Sequence, residues 1–126
     1  MREIKHIRSL EGQKEEANTF FKSGQWQQAI DGYTKCLSSD PKNKNFNAKL
    51  HNNRATALCK LSKYEEAIRD CDKAIYYDAS YAKAFLRKAE CLKCLGGKDN
   101  LEQALREYDA ASKLVGDEGK RDIQRQ

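Results

Sequence analysis

A single proline, a single valine and no long apolar run set the first limits on this chain. Val, Ile and Thr number ten between them, whereas Ala alone occurs fourteen times. β-branched side chains favour strands and Ala favours helices, so the composition excludes a sheet protein and predicts an all-α one. No stretch approaches the ~20 apolar residues a membrane span needs. Residues 1–10 carry Arg2, Lys5, His6 and Arg8 in place of the apolar segment of a signal peptide. Catalytic motifs are also missing: there is no nucleophile elbow, P-loop or HExxH, and neither His6 nor His51 stands near a Ser or Cys in a triad-like arrangement. No enzyme activity, catalytic residue, cofactor or metal is expected.

The five cysteines (Cys36, Cys59, Cys71, Cys91 and Cys94) are odd in number and scattered through helical patterns. They read as thiols of a reducing compartment, the cytoplasm or also the nucleus, rather than as a secreted disulfide framework. Cys91 and Cys94 have CxxC spacing, but no second Cys or Cys/His pair completes a zinc site, so they read as core thiols. What the chain does have is charge: 34% of its 126 residues, with a net +5 and a mean hydropathy of −0.93. That length suits one domain with a real core. The mild basic excess suits an acidic partner. Basic residues are spread over all helices rather than gathered on one aromatic-studded stripe, so no nucleic acid is expected.

A repeat organises the chain. Three segments, starting at Ala17, Ala55 and Ala89, superpose. Each reaches a bulky apolar residue three positions on (Phe20, Leu58, Leu92), then a polar break, then a second amphipathic stretch with a small residue in its first turn (Ala29, Ala67, Ala104). Tyr33, Cys71 and Tyr108 follow four residues later, and Cys36, Ala74 and Ala111 three beyond those. The marker alanines are spaced 38 and 37 apart. That is a period of about 34 with insertions in Lys42–Lys49 and Gly96–Asn100. Antiparallel helices approach closely only where small side chains meet, so Ala17, Ala29, Ala55, Ala67, Ala89 and Ala104 are expected at the crossings. The pattern predicts helix pairs 7–23 with 26–39, 45–61 with 64–77, and 80–95 with 100–114.

A helix–turn–helix repeat of this period, with small, aromatic and small residues at these offsets, resembles the tetratricopeptide (TPR) family. Gly24 and Pro41 match its consensus; Ala79 (for proline) and Gln13 (for tryptophan) depart from it. The resemblance implies three tandem repeats, near 10–43, 48–81 and 82–115, in a right-handed superhelix within one domain at 7–126. Residues 117–126 are expected to start a capping helix, and the charged, helix-favouring sequence at that end suggests a piece of a longer protein. Trp26, at the head of a helix, reads as packing.

In a stacked helix-pair solenoid the first helices line the concave, ligand-binding side. There the sequence offers Lys14 and Asn18, one turn apart; Asn53; and Lys83 and Arg87, again one turn apart. Three cations and two amides are the donors that two neighbouring carboxylates need. The set resembles the dicarboxylate clamp of TPR co-chaperones. That resemblance implies binding of the C-terminal Glu-Glu-Val-Asp peptides of the cytosolic 70-kDa and 90-kDa heat-shock chaperones. It assigns Lys14, Asn18 and Asn53 to the main-chain carboxylate, and Lys83 and Arg87 to the aspartate side chain. Phe21, Thr56, Cys59 and Lys60 follow at groove spacing as secondary peptide contacts. The run from Asn43 to Ile75, with YAKAFLRKAECL, looks most like the clamp module of co-chaperones that also carry a J-domain. No His-Pro-Asp occurs here, so a J-domain is expected only outside this sequence. A monomer without membrane attachment is expected. The alternative reading is a TPR scaffold whose groove holds a folded partner or an internal helix.

Overall fold

The computed structural model describes the backbone of residues 2–39 and 44–125, and the side chains of 12–39 and 47–116. Pro41 lies outside the described residues. Those described form six helices and no strand: α1 (Arg2–Lys22), α2 (Trp26–Ser39), α3 (Lys44–Lys60), α4 (Tyr64–Tyr77), α5 (Ala82–Leu95) and α6 (Lys98–Arg125). They pack in chain order as antiparallel pairs, α1 on α2, α3 on α4 and α5 on α6. The pairs stack through α2 on α3 and α4 on α5, and α3 also touches α5. The first helices of successive pairs thus share one side of the stack.

The expected crossings hold. Ala17, Ala29, Ala55, Ala67 and Ala89 are fully buried, and Ala104 nearly so. Gly32 shows how tight the first crossing is, since a Cβ there would lie 2.7 Å from that of Ala17. Tyr33 and Cys36 fill the space between the first two pairs beside Leu50. Leu58, Cys71 and Cys91 do so around the second, and Leu92 and Tyr108 around the third. Burial of such apolar surface, at about 25 cal/mol per Å², is what holds each pair to the next.

The turns repeat as well. Gln25 N–H donates to Phe20 O, and Lys63 N–H to Leu58 O, both at 2.9 Å. These 6→1 bonds close the ends of α1 and α3 in the same way and need a left-handed residue just before the donor. Gly24 supplies it with φ 76°, whereas Ser62 supplies it with φ 61° despite its side chain.

Several boundaries differ from the sequence pattern: α1 begins at Arg2 rather than near 7, and α6 at Lys98 rather than near 100. α5 begins at Ala82 rather than near 80, because Asp78 Oδ1 accepts from Ser80 N–H (3.1 Å) and Ser80 Oγ–H (2.6 Å), an Asx turn that delays the helix. The stretch expected to open a capping helix runs on to Arg125 as the last turns of α6. The sequence there holds no proline, and Gly116 and Gly119 do not break a helix whose other residues favour one.

Candidate functional site

α1 presents Lys14 and Asn18, α3 presents Asn53, and α5 presents Lys83 and Arg87, so the five candidates stand on the three first helices. Tyr33, from α2, joins the first two of these helices. Its side chain is fully buried between the pairs, and its hydroxyl donates to Asn18 Oδ1 at 2.5 Å. Burial pushes the phenol up to about 12, against a smaller opposite effect from the Asn53 amide beside it. One neutral hydroxyl therefore meets both groove amides. With its Oδ1 held by Tyr33, Asn18 keeps its NH₂ group for an incoming acceptor. Lys14 lies close enough to Cys36 to favour its thiolate, although burial is the larger influence and pushes that thiol up.

On α5, Lys83 is exposed and Arg87 is partly buried. Arg87 Nη1 donates to Glu90 Oε2 at 2.7 Å, while its Nε is buried without a hydrogen-bond partner. Lys88, the next residue, turns to the other face of α5 and meets Asp72 at 2.8 Å and Glu107 at 3.5 Å. Burial lowers its ammonium, but these two carboxylates more than compensate and hold it above the usual lysine value. The net result is a groove side with cations from α1 and α5 and amides from α1 and α3, suited to anions and not to proton transfer.

The four secondary candidates divide. Lys60 is exposed, with Nζ 6.0 Å from the centre of the Trp26 ring, and Phe21 meets the same ring edge-on at 5.3 Å. Phe21 also packs against two core clusters, so most of it is structural. Thr56 is buried, and its hydroxyl donates to Asn52 O at 3.0 Å on its own helix. Cys59 is disulfide-bonded to Cys91, with their Cα atoms 6.6 Å apart. This corrects the expectation of five separate thiols: α3 and α5 are in contact, and these two positions face each other across it. Spacing within one helix says nothing about that. Cys36 and Cys71 are free and buried and Cys94 is free and exposed. Among the described residues no cluster suited to a metal ion occurs.

Sequence reasoning also missed a buried ionic knot behind the groove. Arg54 Nε and Nη2 donate to the two oxygens of Asp70 at 2.8 and 2.6 Å, and Arg54 Nη1 donates to Thr34 Oγ. His51 Nδ1 lies 2.9 Å from Asp70 Oδ1 and, since a carboxylate only accepts, carries the proton there. Burial pushes the Asp70 carboxyl up, but the bonds and charges of Arg54 and His51 outweigh it and hold it below the usual range. The knot ties α3 to α4 directly under the helix that carries Asn53. Its only sequence signal was a polar residue at a position that otherwise alternates with buried Ala67, Cys71 and Ala74.

Comparison with known proteins agrees with this architecture. The tetratricopeptide repeat model matches residues 48–81, the second helix pair. The DnaJ homolog subfamily C member 7 homolog of Dictyostelium discoideum is 40% identical over 116 residues, 92% of this chain but 21% of the relative; the chain thus spans about a fifth of that protein. Among solved structures, the second TPR of Spaghetti (RPAP3) bound to the HSP90 peptide SRMEEVD is 34% identical, with a TM-score of 0.76 over 90% of this chain and 99% of that one. The second TPR domain of human RPAP3, in complex with the HSP70 peptide SGPTIEEVD, is 36% identical, with a TM-score of 0.75 over 86% and 85%. The three helix pairs, their repeated turns and these matches over nearly whole domains have one meaning: the chain belongs to the tetratricopeptide repeat family.

Proposed function

We propose that this chain is a co-chaperone's peptide-binding module, which grips the free C-terminus of HSP70 and HSP90 chaperones, at an EEVD sequence, in its first-helix groove. The observation that carries the reading is the donor set: Lys14, Asn18, Asn53, Lys83 and Arg87, on three neighbouring helices of a fold whose similar solved domains are complexes with peptides ending in EEVD. A C-terminal aspartate carries two carboxylates a few ångströms apart. In this reading the Asn18 and Asn53 amides and the Lys14 ammonium take the main-chain carboxylate, with Tyr33 holding the amides in orientation. Lys83 and Arg87 take the side-chain carboxylate. Each charge-assisted bond contributes about 1.5–3 kcal/mol net. Phe21, Trp26 and Lys60 form the wall that an upstream residue meets, while Thr56 and Cys59 contribute shape.

The module comprises three repeats, near 10–43, 48–81 and 82–115. It acts as a cytoplasmic monomer by binding alone, without a catalytic step. Calorimetric titration with SGPTIEEVD, and with a peptide of the same composition whose aspartate is moved away from the C-terminus, tests the proposal. Saturable one-to-one binding of the first peptide and at least about tenfold weaker binding of the second, a difference of about 1.4 kcal/mol, is the expected result. Equal affinities would contradict it.

A further inference from the structure

The acid that Arg87 meets in the free domain is its own neighbour. Arg87 Nη1 donates to Glu90 Oε2 at 2.7 Å, and Nε is buried with no partner. A guanidinium offers a carboxylate two edges with paired donors, one formed by Nε and the adjacent Nη, the other by Nη1 and Nη2. Each edge contains an atom that is either buried or already engaged. Two-bond capture of a ligand carboxylate therefore requires Arg87 to leave Glu90. Among the described residues Arg87 is the only cation in ion-pair contact with Glu90, and Lys88 is committed to Asp72 and Glu107 on the opposite face.

We propose that Glu90 is an internal competitor for Arg87, a carboxylate built into the groove that an incoming acidic C-terminus displaces, and that it sets the domain's affinity for such ligands. The proposal rests on the carboxylate-binding reading of the groove. The exchange is like for like, one carboxylate for another on the same guanidinium. Glu90 is 51% exposed and Arg87 29%, and an ion pair this open is weakly held, so a ligand anchored elsewhere by Lys14, Asn18 and Asn53 can displace it. Glu90 also lies on the groove side of α5, one turn after Arg87, where its charge opposes any anion that approaches. The neutral side chain of Glu90→Gln keeps the shape and gives up both effects.

The test is a double-mutant cycle read by calorimetry with the free-acid peptide SGPTIEEVD: the unmodified domain, Glu90→Gln, Arg87→Ala and the double variant. Glu90→Gln is expected to bind about two- to fivefold tighter than the unmodified domain, in line with release of an exposed ion pair. That gain is expected to shrink to less than half in the Arg87→Ala background, where there is no guanidinium left to compete for and only the charge repulsion is relieved. Unchanged or weaker binding by Glu90→Gln would overturn the proposal. A gain that persists in full without Arg87 would overturn the exchange too, since simple charge repulsion would then account for it. If neither the unmodified domain nor Glu90→Gln binds the peptide although both melt cooperatively, the reading of the groove itself fails and takes the competition with it.

Discussion

Tyr33 is the side chain on which the groove's geometry turns, because one buried hydroxyl meets Asn18 from α1 and Asn53 from α3. Helical spacing alone assigns Lys14 to the face of Asn18 and Lys83 to that of Arg87 among the five residues proposed for the groove. What spacing could not supply is distance between helices. Tyr33 read only as a repeat marker and Cys59 as a thiol facing a peptide rather than Cys91, and nothing in the spacing singled out Glu90. Lys83 has its ammonium in solvent. Lys83→Ala should therefore weaken binding of an EEVD peptide about 10- to 100-fold, one charge-assisted contact, with the melting temperature unchanged. Parallel calorimetry and thermal melts check both halves, and a melting temperature that falls with the affinity would make Lys83 structural. Asp70 belongs to stability instead. Its folded pKa lies below the ordinary 3.8, so the stability it contributes is present above that value and is lost as pH falls through the lower, folded one. Asp70→Asn should cost about 3 kcal/mol near neutrality, by leaving Arg54 without its acceptor. It should also flatten the loss of stability on acidification below about pH 4. Denaturant titrations across that range would show it, and parallel curves for both proteins would contradict the assignment.

Helices and turns carry the repeat, and the six helices were readable from the sequence, because buried alanines at fixed offsets mark every crossing, although the start of α1 and the end of α6 were not. The ends that were misjudged depend on local bonds invisible to periodicity. The Asx turn at Asp78 shifts the start of α5, and the helix-favouring residues after Leu114 carry α6 onward where a break was expected. The turn between α3 and α4 offers a test of how the element is built. Ser62 stands where the equivalent turn has Gly24, in the same left-handed conformation and with the same pair of closing bonds. An L side chain is strained there by roughly 1–2 kcal/mol, and glycine gives back about 0.4–1 kcal/mol of that through greater freedom of the unfolded chain. Ser62→Gly should therefore stabilise the domain by about 0.5–1 kcal/mol, seen as a higher midpoint in denaturant at unchanged slope. A lower midpoint would mean that the serine hydroxyl, 3.5 Å from that of Tyr64, contributes more than the strain costs.

At the scale of the whole molecule, three helix pairs make one continuous groove side, and the groove's character comes from which charges the stack leaves on it. Arg54, Lys88 and Asp70 are consumed in holding helices together. In the function proposed above, Lys14, Asn18, Asn53, Lys83 and Arg87 are the residues that face a ligand. This division of polar residues between scaffold and groove could not be read from composition, which counts Arg54 and Lys88 in the net charge of +5 just as it counts Lys14, Lys83 and Arg87. It makes the account's central claim a claim about carboxylates: the groove recognises the free terminus of a peptide, not its sequence alone. Amidating that terminus removes one carboxylate and leaves Lys14, Asn18 and Asn53 without their anion, while every other contact is kept. The direct measurement is calorimetry of the domain with SGPTIEEVD as the free acid and as the C-terminal amide, at one salt concentration. The account predicts that the amide binds at least about tenfold more weakly, the loss of one or more charge-assisted bonds; equal affinity of acid and amide would contradict it.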